Sequence, residues 1–221
     1  MDSVDSYGRS TNRPELKALE ELIPQRTKIK PKTLLEVGSH NAFDCERLQE
    51  AFGLEAEDIY VIEAHPKFYA EIKERYPKYN VFDFAANNTA GKISFNAAKD
   101  WDDGRSSVLT RDIYENDNFC VVECESKRLD TFFGENDIEF IDIFKLDVEG
   151  LAYEVLEGCG DYLKNIKCIQ VENEYGELWE NQKTAEDTYD FLAYNGFELV
   201  WKRNVEMVQD DSMWVRREFL L

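Results

Sequence analysis

The stretch TLLEVGSHNAFD, residues 33–44, decides how the rest of the chain is read. Leu34, Leu35 and Val37 form a short apolar run that ends at Gly38, as a strand buried on both faces does. A helical pattern follows over 42–52, with Phe43, Leu48, Ala51 and Phe52 toward the core. A buried strand that turns through glycine into an amphipathic helix opens a strand–helix–strand unit.

The alternation continues outward. Residues 58–64 (DIYVIEA) read as a strand, 67–76 as a helix and 80–85 (NVFDFA) as a third strand. Residues 140–146 (FIDIFKL) form a fourth core strand followed by a helix from 151 to 157, and 166–171 (IKCIQV) a fifth. A helix over 185–194 stops at Asn195-Gly196. Before the first strand, 14–23 carries Leu16, Leu19, Leu22 and Ile23 at helical spacing behind Pro14. Residues 91–97 alternate like an exposed or antiparallel strand, and 119–124 form another short one. Residues 197–201 and 213–217, separated by a polar turn, read as a terminal antiparallel hairpin. Strands alternating with helices predict a doubly wound α/β fold with a mainly parallel sheet and right-handed crossovers. One domain is expected over 31–221, preceded by an arm and helix over 1–30.

Composition narrows the partners. With 46 acidic against 26 basic residues, the formal net charge is −20. Such a chain repels phosphate backbones and anionic lipid surfaces, so no nucleic acid is expected as substrate. Five cysteines without a C-x-x-C pair, and two histidines, argue against a zinc site and for scattered thiols in a reducing compartment. The first eleven residues lack an apolar signal core, and no run reaches membrane-spanning length. The expectation is a soluble cytoplasmic protein.

In a doubly wound sheet, ligands bind beyond the carboxyl ends of the strands, at the switch point. Gly38 after strand one lets backbone approach a ligand. A dinucleotide fingerprint would need two more glycines, where His40 and Phe43 stand, so this loop is too bulky for a pyrophosphate. Glu63 ends strand two, placed to accept hydrogen bonds from ribose hydroxyls. Asp83, at the end of strand three, is expected at an adenine amino group, with Phe84 against the ring, although its alternation with Phe82 and Phe84 also suits a solvent-facing side chain. Asp147 ends strand four, Glu149 opens the next helix, and Glu172 and Glu174 end strand five. Four acids on one rim can orient hydroxyls, act as general base, or hold a hard divalent cation; no metal is predicted.

LLEVGSHNAFD, VIEAHP, AANNTAG, SSVL at 106–109, RLDTFF, FKLDVEGLAYEVLEG, IQVENE and NGFEL occur in this order over roughly 33–200. In these blocks the chain resembles the FkbM family of class I methyltransferases. That resemblance implies a Rossmann-like, seven-stranded sheet, the cofactor S-adenosylmethionine (SAM) and transfer to a hydroxyl oxygen. Its acceptors would be small molecules or glycans, sugars first. Glu36, Gly38, Ser39 and His40 would line the methionine end, Glu63 and Ala64 the ribose, and Asp83, Phe84 and Ala85 the adenine. Asp147 and Glu149 would face the methyl-transfer centre. The family usually has Asn at His40, Gly at Ala42 and an acid at Ala152, so a base or metal role that needs that last acid has no residue here.

An alcohol must lose its proton near the moment of attack. Candidate bases are Asp147, Glu149, Glu172 and His40, with Asp147 first because it ends the central strand. His65, followed by Pro66, reads as a turn residue. The 100–118 segment, with Trp101, Arg105 and Tyr114, is expected to fold over the acceptor. The alternatives are a nicotinamide-dependent oxidoreductase, which the missing glycines disfavour, and a non-catalytic acidic binding module. A nucleic-acid base methyltransferase would need a basic stripe that is absent.

Overall fold

The computed structural model describes residues 13–99, 105–110, 118–176, 178–205 and 208–221. The segment before Arg13, and Trp101 and Tyr114 of the expected lid, lie outside the described residues. The helices are α1 (Pro14–Arg26), α2 (Phe43–Phe52), α3 (Pro66–Arg75), α4 (Leu129–Glu135), α5 (Ala152–Gly158) and α6 (Ala185–Tyr194). The strands are β1 (Leu34–Val37), β2 (Ile59–Ile62), β3 (Asn80–Phe82), β4 (Ala85–Ala86), β5 (Gly91–Ala98), β6 (Phe119–Lys127), β7 (Ile141–Leu146), β8 (Ile166–Glu174), β9 (Phe197–Val205) and β10 (Gln209–Arg216).

Seven strands form the main sheet in the order β3-β2-β1-β7-β8-β10-β9. The first five run parallel, and β10 lies antiparallel to both β8 and β9. The fold is therefore α/β and doubly wound, with a terminal antiparallel hairpin, as expected. Helices cover both faces because each central strand is apolar on both sides. On one face Leu35, Phe144, Ile169 and Trp214 meet α4, α5 and α6. On the other Leu34, Ile143, Cys168 and Met213 meet α1, α2 and α3.

That second face is not wholly apolar. Successive side chains of a strand alternate in direction, so Glu36 shares the side of Leu34, Lys145 that of Ile143, and Gln170 that of Cys168. Register pairs Glu36 with Lys145 and Lys145 with Gln170, and the Gln170 amide donates to Asp211 at 3.1 Å. A polar stripe thus crosses three central strands and reaches β10 inside the core.

The structure corrects several boundaries. The strand expected over 80–85 is two pieces: β3 belongs to the main sheet, while β4 joins β5 and β6 in a separate three-stranded sheet. Helix α4 was not anticipated; at seven residues it is too short for periodicity to stand out, although Leu129, Phe132 and Phe133 are buried at helical spacing. The first hairpin strand runs four residues past its expected end and the second starts four residues before its expected start, so Gln209, Asp210 and Asp211, expected in the turn, are strand. Helix α6 starts on a capping box made by Thr184 and Asp187. Among the described residues no helix is long and apolar enough to cross a membrane.

Candidate active site

The chain leaves β1 toward β2 and β3 on one side, and leaves β7 toward β8 on the other. Between β1 and β7 the following loops diverge and open a crevice at the carboxyl edge. The cleft there encloses about 1080 Å³, its open mouth included.

Gly38 forms the floor, for a different reason from the one its sequence position suggests. Its φ is +75°, and a Cβ on it would lie 1.7 Å from the Asp147 carbonyl oxygen. The Asp147 N–H donates to the Val37 carbonyl at 3.0 Å. Glycine is needed so that the two loops can close on each other; what it admits is the backbone of Asp147. The loops themselves are bent: His40 and Ala42 in the first, and Glu149 and Gly150 in the second, all have left-handed φ. A side chain at such a φ stores about 1–2 kcal/mol, and such positions cluster at functional sites.

The methionine-side wall is charged. Glu36 is buried and accepts hydrogen bonds from Ser39 Oγ and Cys45 Sγ, each at 2.9 Å. Burial pushes its carboxyl up, partly offset by Lys145. The Lys145 ammonium, 2% exposed, lies 3.1 Å from Asp44, 3.4 Å from Glu36 and 3.6 Å from Asp147. Burial alone would lower its pKa, but Asp44, Glu36 and Asp147 together hold it well above the ordinary lysine value. Asp44 also pairs with Arg13 at 2.8 Å; burial works against its charge, and Lys145 and Arg13 overcome that and lower its pKa.

Glu63 sits at the end of β2. One oxygen accepts the His40 N–H at 2.7 Å and the other the His65 N–H at 2.8 Å, so this carboxylate fixes the first loop. Burial pushes its pKa up to about 7 against those two hydrogen bonds. His65 is structural: Nδ1 accepts from the Lys67 N–H at the start of α3, and Nε2 lies 2.9 Å from the Ala98 carbonyl. The ring of His40 stands edge-on to Phe68, with centroids 4.2 Å apart.

At the other end Asp147, Glu149 and Glu172 bring carboxylate oxygens within 4.8 Å of one another. Burial, reinforced by Asp147 and Glu149, drives the Glu172 carboxyl well above its ordinary range. Glu174 and Asp211 are each pushed up to about 7, chiefly by burial. Ser107 of the 105–110 segment is pinned across this rim: its hydroxyl donates to the Glu149 carbonyl at 2.7 Å, and its backbone bridges to Asn96 of β5.

Of the residues singled out in the sequence, Glu36, Gly38, Ser39, His40, Glu63, Ala64, Phe84, Ala85, Asp147, Glu149 and Glu172 all line the cleft. Asp83 does not: it is exposed, while Phe84 is buried. The turn between β3 and β4 sends the two side chains opposite ways and leaves Asp83 outside the lining of the cleft. Sequence reading missed Arg13, Asp44 and Lys145 as parts of the wall. A signal existed for Lys145 and Glu36, charges of opposite sign inside two mainly apolar strands.

Sheet order and a carboxyl-edge cleft floored by β1 and β7 are the fold of the class I SAM-dependent methyltransferases, and the family match makes SAM the cofactor. The model of the methyltransferase FkbM domain matches residues 36–199, and the chain belongs to that family. The 2-O-methyltransferase NoeI of Sinorhizobium fredii is 24% identical over 206 residues, covering 86% of this chain and 83% of that protein. The crystal structure of methyltransferase FkbM from Methylobacillus flagellatus superposes with a TM-score of 0.55 at 9% identity, over 84% of this chain and 44% of the other. A TehB-like SAM-dependent methyltransferase from Corynebacterium glutamicum gives 0.53 at 7% identity, over 96% and 92%. Those two likenesses speak for the fold. With the family fixed, the oxidoreductase alternative falls.

Proposed function

We propose that this protein is a SAM-dependent O-methyltransferase acting on a hydroxyl of a small-molecule or glycan acceptor, a sugar in the first instance. The observation that carries the reading is the trio Asp147, Glu149 and Glu172, gathered at one end of the cofactor cleft. Carboxylates in such a group suit an acceptor that offers hydroxyls to hydrogen-bond and one proton to give up. The name of NoeI, a 2-O-methyltransferase, supports the choice of oxygen. A chain of net charge −20 disfavours polyanionic acceptors.

The cleft suits the cofactor chemically. Apolar Phe84 and Ala85 offer a wall for the adenine, Glu63 acceptor oxygens for the ribose, and the loop Glu36, Gly38, Ser39 and His40 a floor for the methionine part. When bound, SAM supplies an electrophilic methyl on a positively charged sulfur, and surrounding carboxylates favour that charge. We assign Asp147 as the group that takes the acceptor's hydroxyl proton, because it ends the central strand and opens on the cleft floor. Glu172 holds its proton more tightly than an ordinary carboxyl and, with Glu149, orients the acceptor's hydroxyls. His40 is assigned to the cofactor wall, since its backbone N–H is committed to Glu63 and its ring packs on Phe68. Alignment of nucleophile and methyl contributes the larger share of the rate.

The test is methyl transfer from labelled SAM to a panel of saccharides, with amine and thiol acceptors beside them. A methyl ether as product is expected. With Asp147→Asn the turnover should fall by roughly 10²–10⁴-fold while SAM affinity is kept. A methylated amine or thiol as the sole product, or full turnover in that variant, would overturn the reading.

A further inference from the structure

We infer that Arg13, which stands outside the family-matched residues 36–199, is the anchor for the carboxylate of SAM. The inference rests on SAM occupying the cleft and adds a residue to that site.

The argument begins with the charges that line the cleft. Two described cations do so, Arg13 and Lys145, against six carboxylates. SAM carries an α-carboxylate, and a carboxylate placed among carboxylates needs a cation with open donors. Lys145 does not qualify: an ammonium has three N–H donors, and Asp44, Glu36 and Asp147 surround it, with 2% of the side chain exposed. Arg13 does. Its Nε points to Glu15 and its Nη2 to Asp44. Among the described residues nothing accepts a hydrogen bond from Nη1, and 40% of the side chain is exposed. A guanidinium presents five donors in a planar fork that suits a carboxylate.

Position agrees with charge. Asp44 is shared by Arg13 and Lys145, at 2.8 and 3.1 Å, and Lys145 reaches on to Glu36 and Asp147. Arg13 therefore stands at the β1–β7 end of the cleft, over the loop assigned to the methionine part. Glu15 and Asp44 hold the guanidinium in place before the ligand arrives, so little side-chain freedom is left to lose on binding. The residue is the N-cap of α1, whose Leu16, Leu19 and Ile23 are fixed in the core, and this gives the guanidinium a rigid base.

The experiment is calorimetric titration of SAM and of decarboxylated SAM, which lacks only the carboxylate, into the wild-type chain and Arg13→Ala. Wild type should bind SAM about 10- to 100-fold more tightly than the decarboxylated compound, as a charge-assisted pair gives. Arg13→Ala should lose about that factor for SAM and none for decarboxylated SAM. Equal losses for both ligands would mean that Arg13 only supports the fold, and no loss for either that it does not touch the cofactor; each result overturns the assignment. If Arg13→Ala fails to give a cooperative melt, Arg13→Gln serves in the same comparison. A wild-type chain that binds neither ligand removes the cofactor reading, and the anchor with it. Arg13-dependent SAM binding without sugar methylation would keep the anchor and refute the acceptor.

Discussion

The two faces of the central sheet are built from the same strands and do different things. The face under α4, α5 and α6 is apolar across β1, along β7 from Phe144 and along β8 as far as Val171, and its buried polar groups Asn173, Asp210 and Ser212 sit at the β8–β10 edge, where they hydrogen-bond one another. The face under α1, α2 and α3 carries Glu36, Lys145, Gln170 and Asp211 among its apolar residues. Continued two residues past the strand positions of Lys145 and Gln170, this second face delivers Asp147 and Glu172 to the cleft. One side of the sheet holds the domain together; the other holds charges ready at its carboxyl edge.

Cutting each face should show this difference most strongly. Phe144→Ala on the apolar face should lower stability by about 3–5 kcal/mol, from lost transfer energy and the cavity left behind. Lys145→Met on the mixed face should lose a similar amount, about 3–5 kcal/mol, because it leaves buried carboxylates without their cation. The two losses should respond differently to pH in urea unfolding. Without Lys145, protonation of Glu36 and Asp44 offsets the defect, so the loss should shrink from pH 8 to pH 5, while that of Phe144→Ala stays level. Glu36→Gln added to Lys145→Met should recover part of the loss. Identical pH behaviour of the two single variants would contradict the comparison.

A second expectation concerns the unmodified chain. Glu63, Glu174 and Asp211 are raised to about 7, mainly by burial, whereas unfolded carboxyls titrate near pH 4. The folded chain keeps protons that the unfolded chain has released. Stability from these groups is therefore complete below about pH 4 and is lost as the pH rises toward 7. Asp44 and Asp130, with lowered pKa values, act oppositely and lose their contribution in acid. Tm of the cofactor-free chain should pass through a maximum near about pH 5 and be several degrees lower at pH 8. Asp211→Asn should flatten the alkaline limb, and a limb of unchanged slope would remove Asp211 from the account.

Smaller effects test the rim. Ser107→Ala withdraws the donor from the Glu149 carbonyl and should cost about 1–3 kcal/mol. It should also raise KM for the acceptor more than for SAM, a split that simple loss of stability does not produce. Ala42, buried with φ 58°, should tolerate glycine with a change below about 1 kcal/mol. The relief of left-handed strain there is set against a lost buried methyl and a more flexible unfolded chain. A loss above about 2 kcal/mol would show that the methyl's packing outweighs the strain.

The strand–helix alternation, and the burial of strands such as β1 and β7, could be read from residue order, because periodicity and apolar runs are local properties. So could the acids at strand ends, since chain position alone places them on the carboxyl edge of a parallel sheet. The break between β3 and β4 was not legible, because NVFDFA reads equally well as one strand or as two strands in different sheets. Nor was the exposure of Asp83, which one turn decides.

What the sequence determined by itself was the class of fold, the family and the row of candidate acids, all of which follow from short-range pattern. Only the tertiary structure decided which charges meet. Arg13, Asp44 and Lys145 stand far apart in the chain, and their convergence depends on strand order, register and the seat of α1. Gly38 and Glu63 make the same point. The first is glycine because Asp147 arrives from another strand, and the second is held near neutrality by a burial that no single segment provides.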